Sequence, residues 1–186
     1  PNSAHNPHRF QGVRLRPRLP DESAIFGDPA TYPLWERARA LNLAINVLAN
    51  PEHLPMLAAL AERFPEVAIA VDHMAHPDVM AGVQSAAFQA LLDLARYPRV
   101  FVKVTGNYYY SRQPYPYADS WDFFRALYDR FGPARLIWGS DFPHVLLKSG
   151  YRRNLLLPQR AYPFLSPADL DLIMGGNAAG LYWGKE

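Results

Sequence analysis

Cysteine is missing from all 186 residues. Its absence excludes disulfides, thiolate nucleophiles and cysteine-based zinc sites, and it fits a cytoplasmic protein. An excess of either charge is also missing: 19 Lys and Arg stand against 17 Asp and Glu, a formal net charge of +2. A balance so near neutral gives no reason to expect nucleic acid or an acidic membrane as partner. The pI near 9.0 rests on those two surplus charges. No apolar run reaches membrane-span length, and the first residues lack the basic-then-apolar pattern of a signal peptide. Neither GxGxxG nor GxxxxGK[ST] follows any expected strand, so nucleotide-binding folds lose support.

What is present is ample apolar material, 49% hydrophobic and 13% aromatic residues, laid out as short strands alternating with helices. Residues 1–9 (PNSAHNPHR) are polar and turn-rich. Phe10 to Arg16 alternates, with Val13 and Leu15 on one face and Gly12, Arg14 and Arg16 on the other, a strand with a charged face. A Pro- and Gly-rich loop leads to a helix over 34–41, with Asn42 marking its end. Further strands are expected over 43–49 (LAINVLA), 67–73 (VAIAVDH), 100–105 (VFVKVT) and 135–138 (RLIW). Helices are expected from Pro51 to Phe64, from Gln84 to Ala95 and from Ser120 to Phe131. The segment between Gly106 and Asp119 reads as a long aromatic loop. Ser166-Pro167-Ala168-Asp169 has the form of a capping box opening a helix. Gly175-Gly176 is expected to end that helix, and 177–183 to form a last short one.

Apolar strands separated by helices imply an α/β fold with parallel strands covered on their outer faces. A doubly wound sheet and a barrel both fit the alternation, and the polar residues favour the barrel. Arg14 and Lys103 lie inside strands, while His73 and Asp141 lie at strand C-terminal ends, where a barrel gathers its active site.

Asp141 follows a buried strand directly. A carboxylate there can act as a general base on water or as a metal ligand, although a turn-capping Asp is an equal reading. His73 ends another buried strand and is a candidate base, metal ligand or hydrogen-bond donor; the plain alternative is a His satisfied by Asp72. His76 reads as an exposed loop residue, and His5, His8 and His53 as solvated. His144 follows the GSDFP turn at the mouth of such a site. Lys103 should pair with a carboxylate, for which Asp141 is the first candidate, or reach polar space, with or without a catalytic duty. Arg14, Arg16 and Arg112 suit an anionic small-molecule substrate, because a guanidinium holds a carboxylate through two parallel hydrogen bonds. Tyr108, Tyr109, Tyr110, Tyr115 and Tyr117 are either a lid or loop packing.

The segments VDHMAHP, FVKVTG, SRQPYPYADS, RLIWGSDFPH and MGGNAAGLYW, in this order and spacing, resemble the amidohydrolase-related (amidohydrolase 2) family of (β/α)8 barrels. The SR…PYAD loop and GSDFPH are most similar to its 2-pyrone-4,6-dicarboxylate lactonase branch. The resemblance implies that Asp141 is the aspartate of the last barrel strand, binding a metal or activating water, and that His73 is the sixth-strand histidine. Arg14 and Arg112 match positions that hold substrate carboxylates. Ala75 stands where the family usually has glycine, and Phe142 where it has tryptophan.

The family's first-strand His-x-His pair has no counterpart here, and the fifth strand (Ile45-Asn46-Val47-Leu48) ends without a ligand. A zinc site needs three protein ligands and an open position, whereas His73 and Asp141 make two. The expectation is therefore one incomplete barrel domain over residues 1–186, about the last five β/α units of a fold of roughly 250 residues. The expected function is hydrolysis of a carboxylate-bearing lactone or related cyclic ester. Asp141 would activate water, His73 would assist, Arg14, Arg112, Lys103 and His144 would bind substrate, and no cofactor would be required. The alternatives are a zinc-dependent decarboxylase of the same family, with His73 and Asp141 on the metal, and an inactive fragment. A barrel lacking about three strands would expose two sheet edges, which predicts aggregation or assembly, a homo-oligomer included, and no activity for the isolated chain.

Overall fold

The computed structural model describes residues 10–17 and 27–184. The lead-in with His5 and His8, and the greater part of the loop expected before the first helix, lie outside the described residues. The elements run β1 (Gly12–Leu15), α1 (Tyr32–Ala40), β2 (Ala44–Val47), α2 (Leu54–Arg63), β3 (Ile69–Val71), α3 (Ala86–Asp93) and β4 (Val100–Val104). They continue with α4 (Asn107–Tyr110), α5 (Trp121–Phe131), β5 (Leu136–Trp138), α6 (Tyr151–Ala161), α7 (Pro167–Asp171) and α8 (Asn177–Tyr182). The five strands form one sheet in chain order, every neighbouring pair parallel. This is the arrangement expected of successive β/α barrel units.

Local chemistry sets the helix starts. Pro33 and Pro55 occupy first-turn positions of α1 and α2, where a missing N–H costs nothing. The Ser85 side chain accepts from the Phe88 N–H to cap α3, and Ser166 and Asp169 form the reciprocal capping box that opens α7.

The register separates the two faces of the sheet. Val13, Leu15, Ile45, Val47, Ile69, Val71, Val102 and Leu136 pack into the main core with Trp35, Leu57, Leu60, Phe64, Leu91 and Phe124 of the helices. Ile45, Val71, Val102 and Leu136 are wholly inaccessible, and burial of each such side chain contributes roughly 1.5–3 kcal/mol.

The opposite face carries smaller and polar residues. Arg14 pairs with Asn46, Asn46 with Ala70, Ala70 with Phe101, and Lys103 with Ile137. There α8 lies against the sheet, and Leu181 joins Ala44, Ala68, Ala70 and Ile137 in a second, smaller cluster. The space at Gly12 is tight, where a Cβ would meet the Ala44 carbonyl oxygen of β2 at 2.7 Å and the Tyr182 ring of α8 at 3.4 Å. The Tyr182 hydroxyl donates to Asn46 Oδ1, and the Asn46 amide donates to the Val13 carbonyl at 3.1 Å. Burial, aided by nearby Asp72, pushes the Tyr182 phenol up to about 12, so it stays a neutral donor.

Several local expectations are corrected. The aromatic loop contains the one-turn helix α4, whose Tyr108 and Tyr110 are buried. Gly175-Gly176 does not end a helix: a π-turn over Leu172–Gly176 carries helical backbone from α7 into α8. Helix α6, not anticipated from the sequence, runs through Pro158, although an internal proline normally argues against a helix. His53 is buried rather than solvated, its Nδ1 accepting from the Asn50 N–H at 3.0 Å. Among the described residues no helix is long and apolar enough to cross a membrane.

Candidate active site

Strand β3 delivers two polar residues in succession. Asp72 comes first and is 2% exposed. Arg14 Nε donates to its Oδ2 at 2.6 Å, and Lys103 Nζ lies 2.9 Å from its Oδ1. Asp141 is therefore not the partner of Lys103, as the sequence had led us to expect. Lys103 projects from β4 onto the same face as Asp72 at the end of adjacent β3, so its ammonium takes the nearest carboxylate on that face. Nor does Asp72 satisfy His73, whose two ring nitrogens face Thr105 and Asp141 instead.

His73 begins a run of left-handed backbone: His73, Met74, Ala75 and His76 have φ of 51, 52, 55 and 52°. Left-handed conformations of residues other than glycine cost of order 1 kcal/mol each and collect at functional sites. The run carries the chain out of the strand and sets two imidazoles side by side, with His73 and His76 ring centres 5.3 Å apart. His73 Nδ1 is 2.5 Å from Thr105 Oγ1, just beyond β4. Its Nε2 faces Asp141 Oδ1 at 3.8 Å. Burial lowers the His73 pKa below its ordinary 6.5, outweighing the attraction of Asp141 and Asp72, so the ring is neutral near pH 7.

Asp141 follows β5 by three residues and is itself left-handed, with φ 53°, a conformation Asp tolerates better than most residues. The Tyr108 hydroxyl donates to its Oδ2. Burial first, and this hydrogen bond second, push the Tyr108 phenol well above its ordinary range, so its proton stays in place. Asp141 Oδ1 is left facing His73. The 3.8 Å gap is too wide for a direct hydrogen bond. It suits an oxygen placed about 2.8 Å from both groups.

Around the pair lies a cavity of about 420 Å³. Its lining includes His73, Asp141, Arg14, Arg16 and His144 from the sequence-derived candidates, together with His76, Tyr108, Tyr109 and Lys148. Leu48 and Leu147 supply apolar wall. His76 is thus a half-buried wall residue rather than a free loop residue, its Nδ1 3.1 Å from Asn50 Oδ1. Two candidates are elsewhere. Lys103 is held beneath the cavity by Asp72, and Arg112 is exposed in the loop after α4, its backbone N–H donating to Asp119 at 2.7 Å.

Sequence reasoning passed over Thr105 and Lys148 and left the role of Tyr108 open. Thr105 had one legible signal, its place at a strand end beside Lys103. The pairing of Tyr108 with Asp141 depends on how the loop after β4 folds back toward the end of β5, which no spacing encodes.

His73 and Asp141 are two donors that a single cation could bridge, but zinc sites use three protein ligands. Among the described residues no group of three His, Cys, Asp or Glu side chains is arranged to hold a metal ion. These residues alone do not fit a metal centre.

Comparison with known proteins agrees with the fold. The chain is 34% identical over 182 residues to an L-fucono-1,5-lactonase of Burkholderia ambifaria, a match covering 94% of this chain and 61% of that protein. It is 33% identical over 129 residues to a 2-pyrone-4,6-dicarboxylate hydrolase of Comamonas testosteroni, covering 63% of this chain and 42% of that one. The chain thus spans about three fifths of the length of the lactonase it matches over most of its own length. Its structure superimposes on a crystal structure of an amidohydrolase from Burkholderia multivorans with bound zinc, at TM-score 0.82 and 26% identity, over 92% of this chain and 64% of that one. The family model for amidohydrolases matches residues 5–183. With the strand arrangement and the sequence in agreement, the chain belongs to the amidohydrolase family.

Proposed function

We propose that this site hydrolyses a lactone bearing one or more carboxylates, against the expectation from the sequence that the isolated chain is inactive, because the described residues by themselves set His73 and Asp141 in one cavity. The observation that carries the reading is the facing of His73 Nε2 and Asp141 Oδ1 across 3.8 Å inside a cavity that also holds Arg14, Arg16 and Lys148. The carboxylate of Asp72 is already matched by Lys103 and Arg14, so the cavity has an excess of positive charge over Asp141. That excess favours an anionic substrate and orients it through charge-assisted hydrogen bonds. The names of its relatives support a lactone as substrate, and the pyrone-dicarboxylate hydrolase name supports one that carries carboxylates.

In this mechanism water lies between the carboxylate and the lactone carbonyl carbon. Asp141 Oδ1 takes a proton from the water as its oxygen attacks, while Tyr108 holds Oδ2 and fixes the plane of the carboxylate. The neutral His73 ring donates from Nε2 to the carbonyl oxygen and stabilises the developing oxyanion. Cleavage of the ring C–O bond then returns the proton from Asp141 to the departing oxygen, giving the open hydroxy acid. No step passes through a metal. Zinc, as bound in the Burkholderia multivorans structure, would find two donors here in His73 and Asp141.

The test is hydrolysis of L-fucono-1,5-lactone and 2-pyrone-4,6-dicarboxylate by the protein and by Asp141→Asn, before and after dialysis against a chelator. The proposal expects turnover of the dicarboxylate in preference to the uncharged sugar lactone, loss of about 10²–10⁴-fold on substitution, and no loss on chelation; turnover of the sugar lactone alone contradicts the carboxylate requirement. Full activity in Asp141→Asn contradicts the role of Asp141. Abolition by chelation, restored by zinc, replaces the metal-free reading.

A further inference from the structure

We infer that Thr105 is a positioning residue that fixes His73 as the Nε2–H tautomer and so makes it a hydrogen-bond donor to substrate rather than a base. The argument starts from the threonine. It is 4% exposed just beyond β4, and the one hydrogen bond of its hydroxyl among the described residues is the 2.5 Å contact with His73 Nδ1. A buried hydroxyl hydrogen without an acceptor costs roughly 1–3 kcal/mol. If Nδ1 carried the proton, it would donate to Thr105, and the hydroxyl hydrogen would have no acceptor there. If Thr105 donates, every group is satisfied: Nδ1 accepts, and the single ring proton resides on Nε2, facing Asp141 Oδ1.

Two glycines hold this arrangement in register. Gly139, just past β5, would put a Cβ 2.8 Å from the Thr105 methyl carbon, so any side chain there displaces the threonine. Gly106, at φ +77°, would put a Cβ 3.1 Å from His73 Nδ1. The imidazole is therefore backed by the segment after β4, with Gly139 behind Thr105, and faces Asp141 through Nε2. The lowered proton affinity of the buried ring agrees, since it keeps the ring neutral and the tautomer defined. In the reaction the consequence is a division of labour: Nε2–H donates to the carbonyl oxygen, and Asp141 alone is free to take the proton of water.

The assignment of roles rests on the hydrolase reading, but the tautomer does not, and the experiment separates them. Long-range ¹H–¹⁵N correlation spectra of the histidine rings are recorded without substrate for the protein and for Thr105→Ser and Thr105→Val, with His73→Gln to assign the signals. The expected result is a neutral His73 with unprotonated Nδ1 in the protein and in Thr105→Ser, and a mixed or Nδ1–H pattern in Thr105→Val. Lactone hydrolysis should fall about 10–100-fold in Thr105→Val, mainly in kcat, and recover in Thr105→Ser. An Nδ1–H tautomer in the unsubstituted protein overturns the inference, and so does an unchanged pattern in Thr105→Val. The expected spectra without hydrolysis of any lactone leave Thr105 as assigned and remove the proposed reaction.

Discussion

The two faces of one strand behave differently at β3. Val71 points into the helix-facing core and is wholly buried. Asp72, the next residue, points to the other face and binds Arg14 and Lys103. The helix-facing side uses branched aliphatic residues whose burial is non-directional. The other side uses short residues that admit α8 and a few charged ones whose value depends on each having its partner. Apolar burial holds the sheet together, while the polar face fixes where strand ends place their side chains. The same division applies beyond the strands, where His73 and Asp141 both sit in left-handed backbone that burial elsewhere must sustain.

The largest break in this comparison should come from Asp72→Asn. It leaves Lys103 and Arg14 without their carboxylate. We expect a loss of about 3 kcal/mol, the low end for a broken buried pair, because the Arg14 side chain is 50% exposed. Lactone hydrolysis should fall with it, since the residue anchors the chain just before His73. Denaturant unfolding and a rate assay on the same preparation test both; a stable variant with an impaired site would show that Asp72 acts on geometry alone.

Val71→Ala sharpens the contrast from the other face. Removing two methyl groups from a fully buried position should cost about 2 kcal/mol and leave the rate at folded-protein concentrations unchanged. A reduced rate with no loss in unfolding midpoint would contradict the separation of faces.

The smallest effect is expected at Ala75, which is 1% exposed and left-handed at φ 55°. Ala75→Gly relieves backbone strain but adds freedom to the unfolded chain, so we predict a net gain of about 1 kcal/mol or less. Thermal unfolding reads it, and destabilisation would mean that the Ala75 methyl packing outweighs the strain.

Most of the fold was legible because its signals are local. Apolar runs such as LAINVLA and VAIAV mark strands, and Ser166 and Asp169 mark a helix start by their spacing. Strand-end chemistry also pointed to His73 and Asp141. What escaped depends on contacts between segments. Lys103 chose Asp72 over Asp141 because β3 is its neighbour in the sheet. Tyr108 reaches Asp141 only when the loop after β4 folds toward β5. Helix α6 persists through Pro158, with Leu157 and Ala161 buried against the core, so packing overrides a local breaker there.

The central claim is that His73 and Asp141 act together on one lactone carbonyl, and a double-mutant cycle tests it most directly. The kcat/KM for lactone hydrolysis is measured for the protein, for His73→Ala, for Asp141→Asn and for the pair. Groups serving a single transition state are strongly non-additive. The account predicts that each single substitution lowers kcat/KM by about 10²–10⁴-fold and that the double variant is little worse than the poorer single one. Two losses that simply multiply, or a single variant with unimpaired turnover, would contradict it.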